Sequence, residues 1–175
     1  MRELSYVLGQ IERPAHRAIE DYAATLGYRD MISLGQGRPC FPIPSHVIEA
    51  TQKAVEDGYT NYTPELGYLD LREAFAEDLR VRKGLDVDPK NEIMITSGAA
   101  EAIFTVYAAL SNPSDEFIIP EICYPQYFTA TTLLRSKSRF VPMNKNTFGL
   151  DLDAMNRCMN EKTKILIADI SSDEN

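Results

Sequence analysis

The feature that most narrows the fold of this chain is the alternation of short apolar runs with longer segments of helical periodicity. "EIMIT" at 92–96, "EFIIP" at 116–120, "SRFVPM" at 138–143 and "KILIADI" at 164–170 read as strands. Between them lie "AAEAIFTVYAALS", "YPQYFTATTLLRS" and "LDAMNRCM", which read as helices. Strands separated by helices form βαβ units and a mostly parallel sheet, because parallel neighbours need a crossover long enough to hold a helix. Such strands are covered on both faces and are therefore almost continuously apolar, as "EFIIP" and "KILIADI" are. The fold class is α/β.

Ahead of this region, "RPAHRAIEDYAATLG" predicts a helix stopped by Gly27. "PSHVIEATQKAVEDG" predicts a second, with Ser45 as its cap and Gly58 as its stop. The stretch between them, "ISLGQGRPCFPIP", holds three prolines and two glycines, so regular structure is excluded and backbone N–H groups are left to face a ligand. From Leu69 onward, Leu71, Ala74, Phe75 and Leu79 recur at helical spacing up to Gly84, so one face of that helix is expected to pack inward. The helix follows a loop crowded with tyrosines, "YTNYTPELGY", a start that looks built to present something.

A chain of 175 residues with 44% hydrophobic content is long enough to bury roughly 70% of its unfolded surface. No repeat or Ser/Gly-rich linker divides it, and one continuous globular unit is the simplest parse. A net charge of −8 without a basic run argues against nucleic acid or an anionic membrane as partner. Cys40, Cys123 and Cys158 are odd in number, widely spaced and in no metal-type pattern, which fits a reducing, cytoplasmic setting. The charged start of the chain has no apolar run suited to a signal peptide or membrane span.

Several stretches bear on chemistry. In "IMITSGAAEAIF", Gly98, Ala99 and Ala100 stand where a strand turns into a helix, and a helix N-terminus offers unpaired N–H groups to a phosphate. Any such turn favours small residues, so alone this fits ordinary structure at least as well. Tyr124, in "PEICYPQYF", follows a strand at the end where open α/β sheets place ligands and has a ring able to stack on a planar group; taken alone, a tyrosine in such a place is more often an ordinary packed one. Tyr127 is expected in the core. Gly35 fits a turn; Gly37, beside Arg38, fits either a turn or a backbone donor to a carboxylate. His16 and His46 have no paired carboxylate or second histidine nearby in the sequence, and no hydrolase or metal motif is present.

Taken in order, "SLGQGRPCFPIPSHVIEA", "YTNYTPELGYLDLREAFA", "IMITSGAAEAIF" and "PEICYPQYF" resemble the amino-terminal half of the class I/II aminotransferases, pyridoxal-phosphate enzymes of fold type I, over almost the whole chain. The resemblance implies a three-layer α/β/α fold. Residues 1–45 then correspond to an amino-terminal arm and small-domain segment, and 46–175 to the first part of the large cofactor-binding domain. It implies pyridoxal 5'-phosphate as cofactor. Gly98, Ala99 and Ala100 would bind its phosphate, Tyr124 would stack on its ring, and Tyr62 would reach the phosphate of the neighbouring subunit across a homodimer. Gly37 would meet the substrate carboxylate with its backbone. The implied reaction moves an amino group from an amino acid to a 2-oxo acid.

Two departures stand out. Ala100 replaces the Ser, Thr or Lys common in relatives, so a side-chain donor to the phosphate is lost. "GRPC" replaces the usual G-E-P-D, which removes the basis for naming a substrate. The family's Schiff-base lysine is not matched by any of the seven lysines, and its pyridine-binding Asp, carboxylate-binding Arg and N-P-T-G turn are not matched either. The expectation is an amino-terminal fragment, inactive by itself and unable to attach the cofactor covalently. The alternative is a truncated, catalytically dead subunit that acts by pairing with a full-length homologue.

Overall fold

The computed structural model describes residues 5–11, 13–27, 32, 39, 41–147 and 149–168. These residues fall into two compact units, Met1–Gly35 with Gly98–Asn175, and Gln36–Ser97.

The first unit is built on three parallel strands, β1 (Glu116–Pro120), β2 (Lys137–Val141) and β3 (Thr163–Leu166), in the order β2-β1-β3. β1 pairs with β2 in unbroken register from Glu116↔Lys137 to Pro120↔Val141, and with β3 through Phe117↔Ile165 and Ile118↔Leu166. Side chains alternate across a strand, so Phe117 and Ile119 face one side while Ile118 faces the other. Phe117 and Ile119 pack with Tyr107 of α4 (Ala99–Leu110) and Ala130 of α5 (Gln126–Leu133). Ile118 packs with Val141 and with Ala154 and Met155 of α6 (Leu152–Cys158). Helices thus cover both faces, and every residue of β1 is buried. The α/β fold with a parallel sheet is as expected. The edge strand β3 differs from expectation: Lys164 and Leu166 are exposed, because an outer strand has cover on fewer sides than the central one.

A buried carboxylate fastens the strands at their amino ends. Glu116 accepts hydrogen bonds from the Arg139 guanidinium of β2, through Nε and through Nη2 at 3.1 Å, and from Asn160 Nδ2 at 2.7 Å. Its backbone N–H donates to Lys162 O at 2.8 Å. The bonds from Arg139, then that from Asn160, hold its carboxyl at about 2, well below the usual range.

The expected helices are present as α1 (Ala15–Thr25), α2 (Ser45–Glu56) and α3 (Leu69–Lys83), and Gly27, Gly58 and Gly84 follow them as stops. Ser45 is not the cap of α2. Pro44 holds that position, its carbonyl accepting from Val47 and Ile48 N–H at 3.0 and 3.3 Å, and Ser45 is already helical. "EIMIT" is not a strand. A strand requires a ladder, and here Ile95 N–H donates instead to Leu66 O at 3.0 Å, tying the segment to a loop of its own unit. The apolar face of α3 is not packed inward either. Leu71 and Phe75 are exposed, and the one buried residue of that helix is Arg72. Among the described residues Cys123 and Cys158 form no disulfide; Cys40, Gly35 and most of "ISLGQGRPCFPIP" lie outside them.

Glu116 yields the first test. Its carboxyl is lowered from 4.5 to about 2 in the folded state, so its stabilisation is complete above pH 4.5 and lost as pH falls toward 2. Denaturant unfolding across that window is expected to show a falling stability that flattens in Glu116→Gln. An unchanged slope in the variant is the contrary result.

Candidate functional site

α4 runs back along β1. Its carboxyl end at Leu110 joins Glu116, the first residue of β1, through residues 111–115, while Ile103 and Tyr107 lie against the Phe117 and Ile119 cluster. Twelve helical residues span about 18 Å and five strand residues about 16 Å, so α4 begins near the end at which β1 stops. That is also where the chain leaves β1 toward Tyr124. By these lengths Gly98, Ala99 and Ala100 fall toward the carboxyl end of β1, the end that Tyr124 follows, and the two neighbours of that strand are reached by crossovers on opposite faces of the sheet. Open α/β sheets bind ligands at such a point.

Gly98 is the N-cap of α4 with φ 82° and ψ 173°, a conformation essentially restricted to glycine. Nothing lies within 4 Å of where a Cβ would stand, so it is the dihedral angle and not crowding that demands glycine, and the space above the turn is open. The first intrahelical bond runs from Ala102 N–H to Gly98 O at 3.4 Å. The N–H groups of Ala99 and Ala100 precede it, at the positive end of the helix dipole. Their methyl side chains offer no donor, so these two residues can hold an anion through main chain alone.

Cys123 and Tyr127 turn inward against the core cluster, and Tyr124 between them turns out, with its ring half-exposed. Tyr127 meets it edge-on at 5.9 Å and 84°, and Tyr127 N–H donates to Tyr124 O at 3.0 Å. This contact fixes one edge of the Tyr124 ring and leaves the ring able to stack. Behind it stands Tyr107, which no sequence signal singled out. Its hydroxyl has no hydrogen-bond partner among the described residues and is pushed up to about 12 by burial, then by Tyr127 and Cys123.

Tyr62 belongs to the second unit, in the loop between α2 and α3, and is fully exposed. The base of that loop is fixed. Tyr59 and Tyr68 meet edge-on at 5.3 Å, and Gly67 N–H donates to Pro64 O at 2.8 Å. Gly67 has φ +87°, and a Cβ on it would fall 2.7 Å from Ile95 Cβ. Arg72 donates from Nε to Gly67 O at 3.2 Å and from Nη1 to Pro89 O and Lys90 O at 2.6 and 3.1 Å. Gly37 lies outside the described residues. All seven lysines are exposed, and none belongs to segment 97–101 or 121–127. No group of three or more potential metal ligands occurs among the described residues.

The family model for aminotransferase class I and II matches residues 29–170, and the chain belongs to that family. It is similar to the aspartate aminotransferase of Pyrococcus abyssi, 38% identical over 152 residues that cover 86% of this chain and 39% of that protein. It is similar also to the aromatic-amino-acid aminotransferase 2 of Thermococcus litoralis, 37% identical over 142 residues, 81% of this chain and 36% of that one. A solved single mutant of Thermus thermophilus aspartate aminotransferase superimposes with a TM-score of 0.86 at 31% identity, over 95% of this chain and 44% of that one. The chain thus spans about two fifths of the length of the relatives it matches. Members of the family depend on pyridoxal 5'-phosphate. An open glycine turn at a helix N-terminus and a half-exposed ring at the same end of the sheet fit its phosphate and its aromatic ring.

Gly98→Ala is expected to destabilise the protein by about 1–3 kcal/mol in denaturant unfolding, through backbone strain alone. An unchanged midpoint excludes the glycine-only conformation. Gly67→Ala is expected to destabilise by more than about 1 kcal/mol, since strain and overlap with Ile95 act together; equal stability of the two proteins contradicts the close approach.

Proposed function

We propose that this chain supplies the cofactor cup of an enzyme that transfers an amino group from an amino acid to a 2-oxo acid. The observation that carries this reading is the glycine-only turn at the start of α4, which packs on the same face of β1 as the segment that follows the strand, in a chain of the class I and II family. In it, the N–H groups of Gly98, Ala99 and Ala100 hold the phosphate of pyridoxal 5'-phosphate, and Tyr124 lies against its ring. Tyr62, exposed at the tip of a braced loop, reaches the phosphate site of a second subunit in a homodimer, and the backbone of Gly37 meets the substrate carboxylate. When bound, the cofactor supplies an electron sink for charge developing at the substrate Cα. The residues of this chain bind and orient it.

Residues 46–175 form the opening part of the large domain in this reading, and 1–45 an arm with a small-domain segment. The lysine that attaches the cofactor and moves the proton is none of the seven here, and the 175 residues alone are inactive. The working protein is longer, in line with the share of each relative that the chain spans. Its setting is the cytoplasm, in keeping with Cys123 and Cys158 standing outside any disulfide. No helix among the described residues is long and apolar enough to cross a membrane.

Mixed with pyridoxal 5'-phosphate, the 175-residue chain is expected to give no visible absorption band that depends on a lysine. In the intact protein, Tyr124→Ala is expected to weaken cofactor binding about threefold to tenfold in equilibrium dialysis, the worth of one aromatic contact. Undiminished binding removes Tyr124 from the site. Failure to exchange amino groups across a panel of amino acids and 2-oxo acids, with cofactor bound, removes the reaction class.

A further inference from the structure

At the opposite, amino end of the sheet, the 3-10 turn Tyr6–Gln10 leans on α5 and leaves a groove of about 650 Å³. Its walls include Ser5, Tyr6, Thr132, Arg135, Ser136 and Lys137, all in the first unit. Arg135 and Lys137 make no ion pair among the described residues. The carboxylates next to them in the chain fold are engaged elsewhere. Asp115 accepts from Asn112 N–H at 2.8 Å, and Glu116 from Arg139 and Asn160. Arg135 and Lys137 thus have no hydrogen-bonded carboxylate partner among the described residues, although the charge of Lys137 also reaches Glu116, its register partner, in a chain of net charge −8.

The donors can be sorted. Thr132 and Ser136 give their hydroxyl protons to Phe128 O and Asn112 O, at 3.0 and 3.3 Å. The Tyr6 hydroxyl accepts from Gln10 Nε2 at 3.0 Å, so its own proton remains to donate, and the Ser5 hydroxyl has no partner among the described residues. Arg135 is held in place by an unusual turn. Its φ is 60°, in the left-handed region, and its N–H donates to Thr132 O at 3.0 Å. Its carbonyl accepts at 2.9 Å from Ser114, itself at φ 78°. Two non-glycine residues in that region, bonded to each other, mark a backbone held against its preference.

We propose that this groove binds a small oxyanion, free phosphate or the phosphate group of a small metabolite, between Arg135 and Lys137 with Ser5 and Tyr6 as neutral donors. Charge-assisted bonds from a guanidinium and an ammonium suit a phosphate, and the volume admits the body of a small ester. The site is separate from the α4 turn and does not rest on the function proposed above.

The test is calorimetric titration of the intact protein with inorganic phosphate and with glycerol phosphate, against chloride at matched ionic strength, with hydrogen exchange read peptide by peptide. Saturable binding with protection of peptides spanning 5–11 and 130–138 is expected. Tighter binding of the ester identifies a metabolite as ligand, and equal binding identifies free phosphate. Arg135→Asn, which tolerates the left-handed turn, combined with Lys137→Gln is expected to weaken binding about tenfold or more. Lys137→Gln alone, on an exposed residue, serves as a second variant and is expected to weaken it severalfold. Absence of saturable binding, protection confined to 97–101, or undiminished affinity in both variants overturns the proposal; the second of these leaves the cofactor reading untouched.

Discussion

Burial of a single strand on both faces organises the first unit. Phe117 and Ile119 on one side and Ile118 on the other remove apolar surface from water in opposite directions, and each side recruits its own helices. A five-residue strand has room for few contacts, so each is expensive to lose: truncating a buried Ile or Phe to Ala typically costs about 2–5 kcal/mol. α4 and α5 must lie on the Phe117 side and α6 on the other, and this disposition brings the start of α4 to the end where β1 releases Tyr124. The geometry of the candidate site follows from the packing of a strand that takes no part in it.

Glu116 complements this arrangement. An apolar strand fixes which faces are covered but not how its neighbours slide along it. A buried carboxylate that accepts from a guanidinium on β2 and an amide before β3 specifies where the neighbours stop. Its partners lie 23 and 44 residues away in sequence, so no local pattern announces the triad.

The same contrast separates what could be read from the chain and what could not. "EFIIP" was legible because a central parallel strand needs nothing but apolar side chains, and the helices were legible from their periodicity and glycine stops. "EIMIT" was misread because strand identity belongs to a pair, and its Ile95 N–H is taken by a loop. α3 was misread for a different reason. Periodicity counts apolar residues, and the group that its helix buries is a guanidinium. The turn at Gly98 and the strand-end position of Tyr124 were legible, while Tyr107 behind it was hidden, since a tyrosine on an apolar helix looks like any other.

The carbonyls that Arg72 gathers belong to Gly67, Pro89 and Lys90, and all three are main-chain oxygens. A clasp of this kind recognises the course of the backbone and is indifferent to the side chains mounted on it. Mutations at residues 89 and 90 leave the clasp intact as long as the chain keeps its path, whereas no other amino acid offers a planar fork of five donors to replace the arginine. Across diverging descendants, variation around the clasp is tolerated and the constraint falls on its one donor.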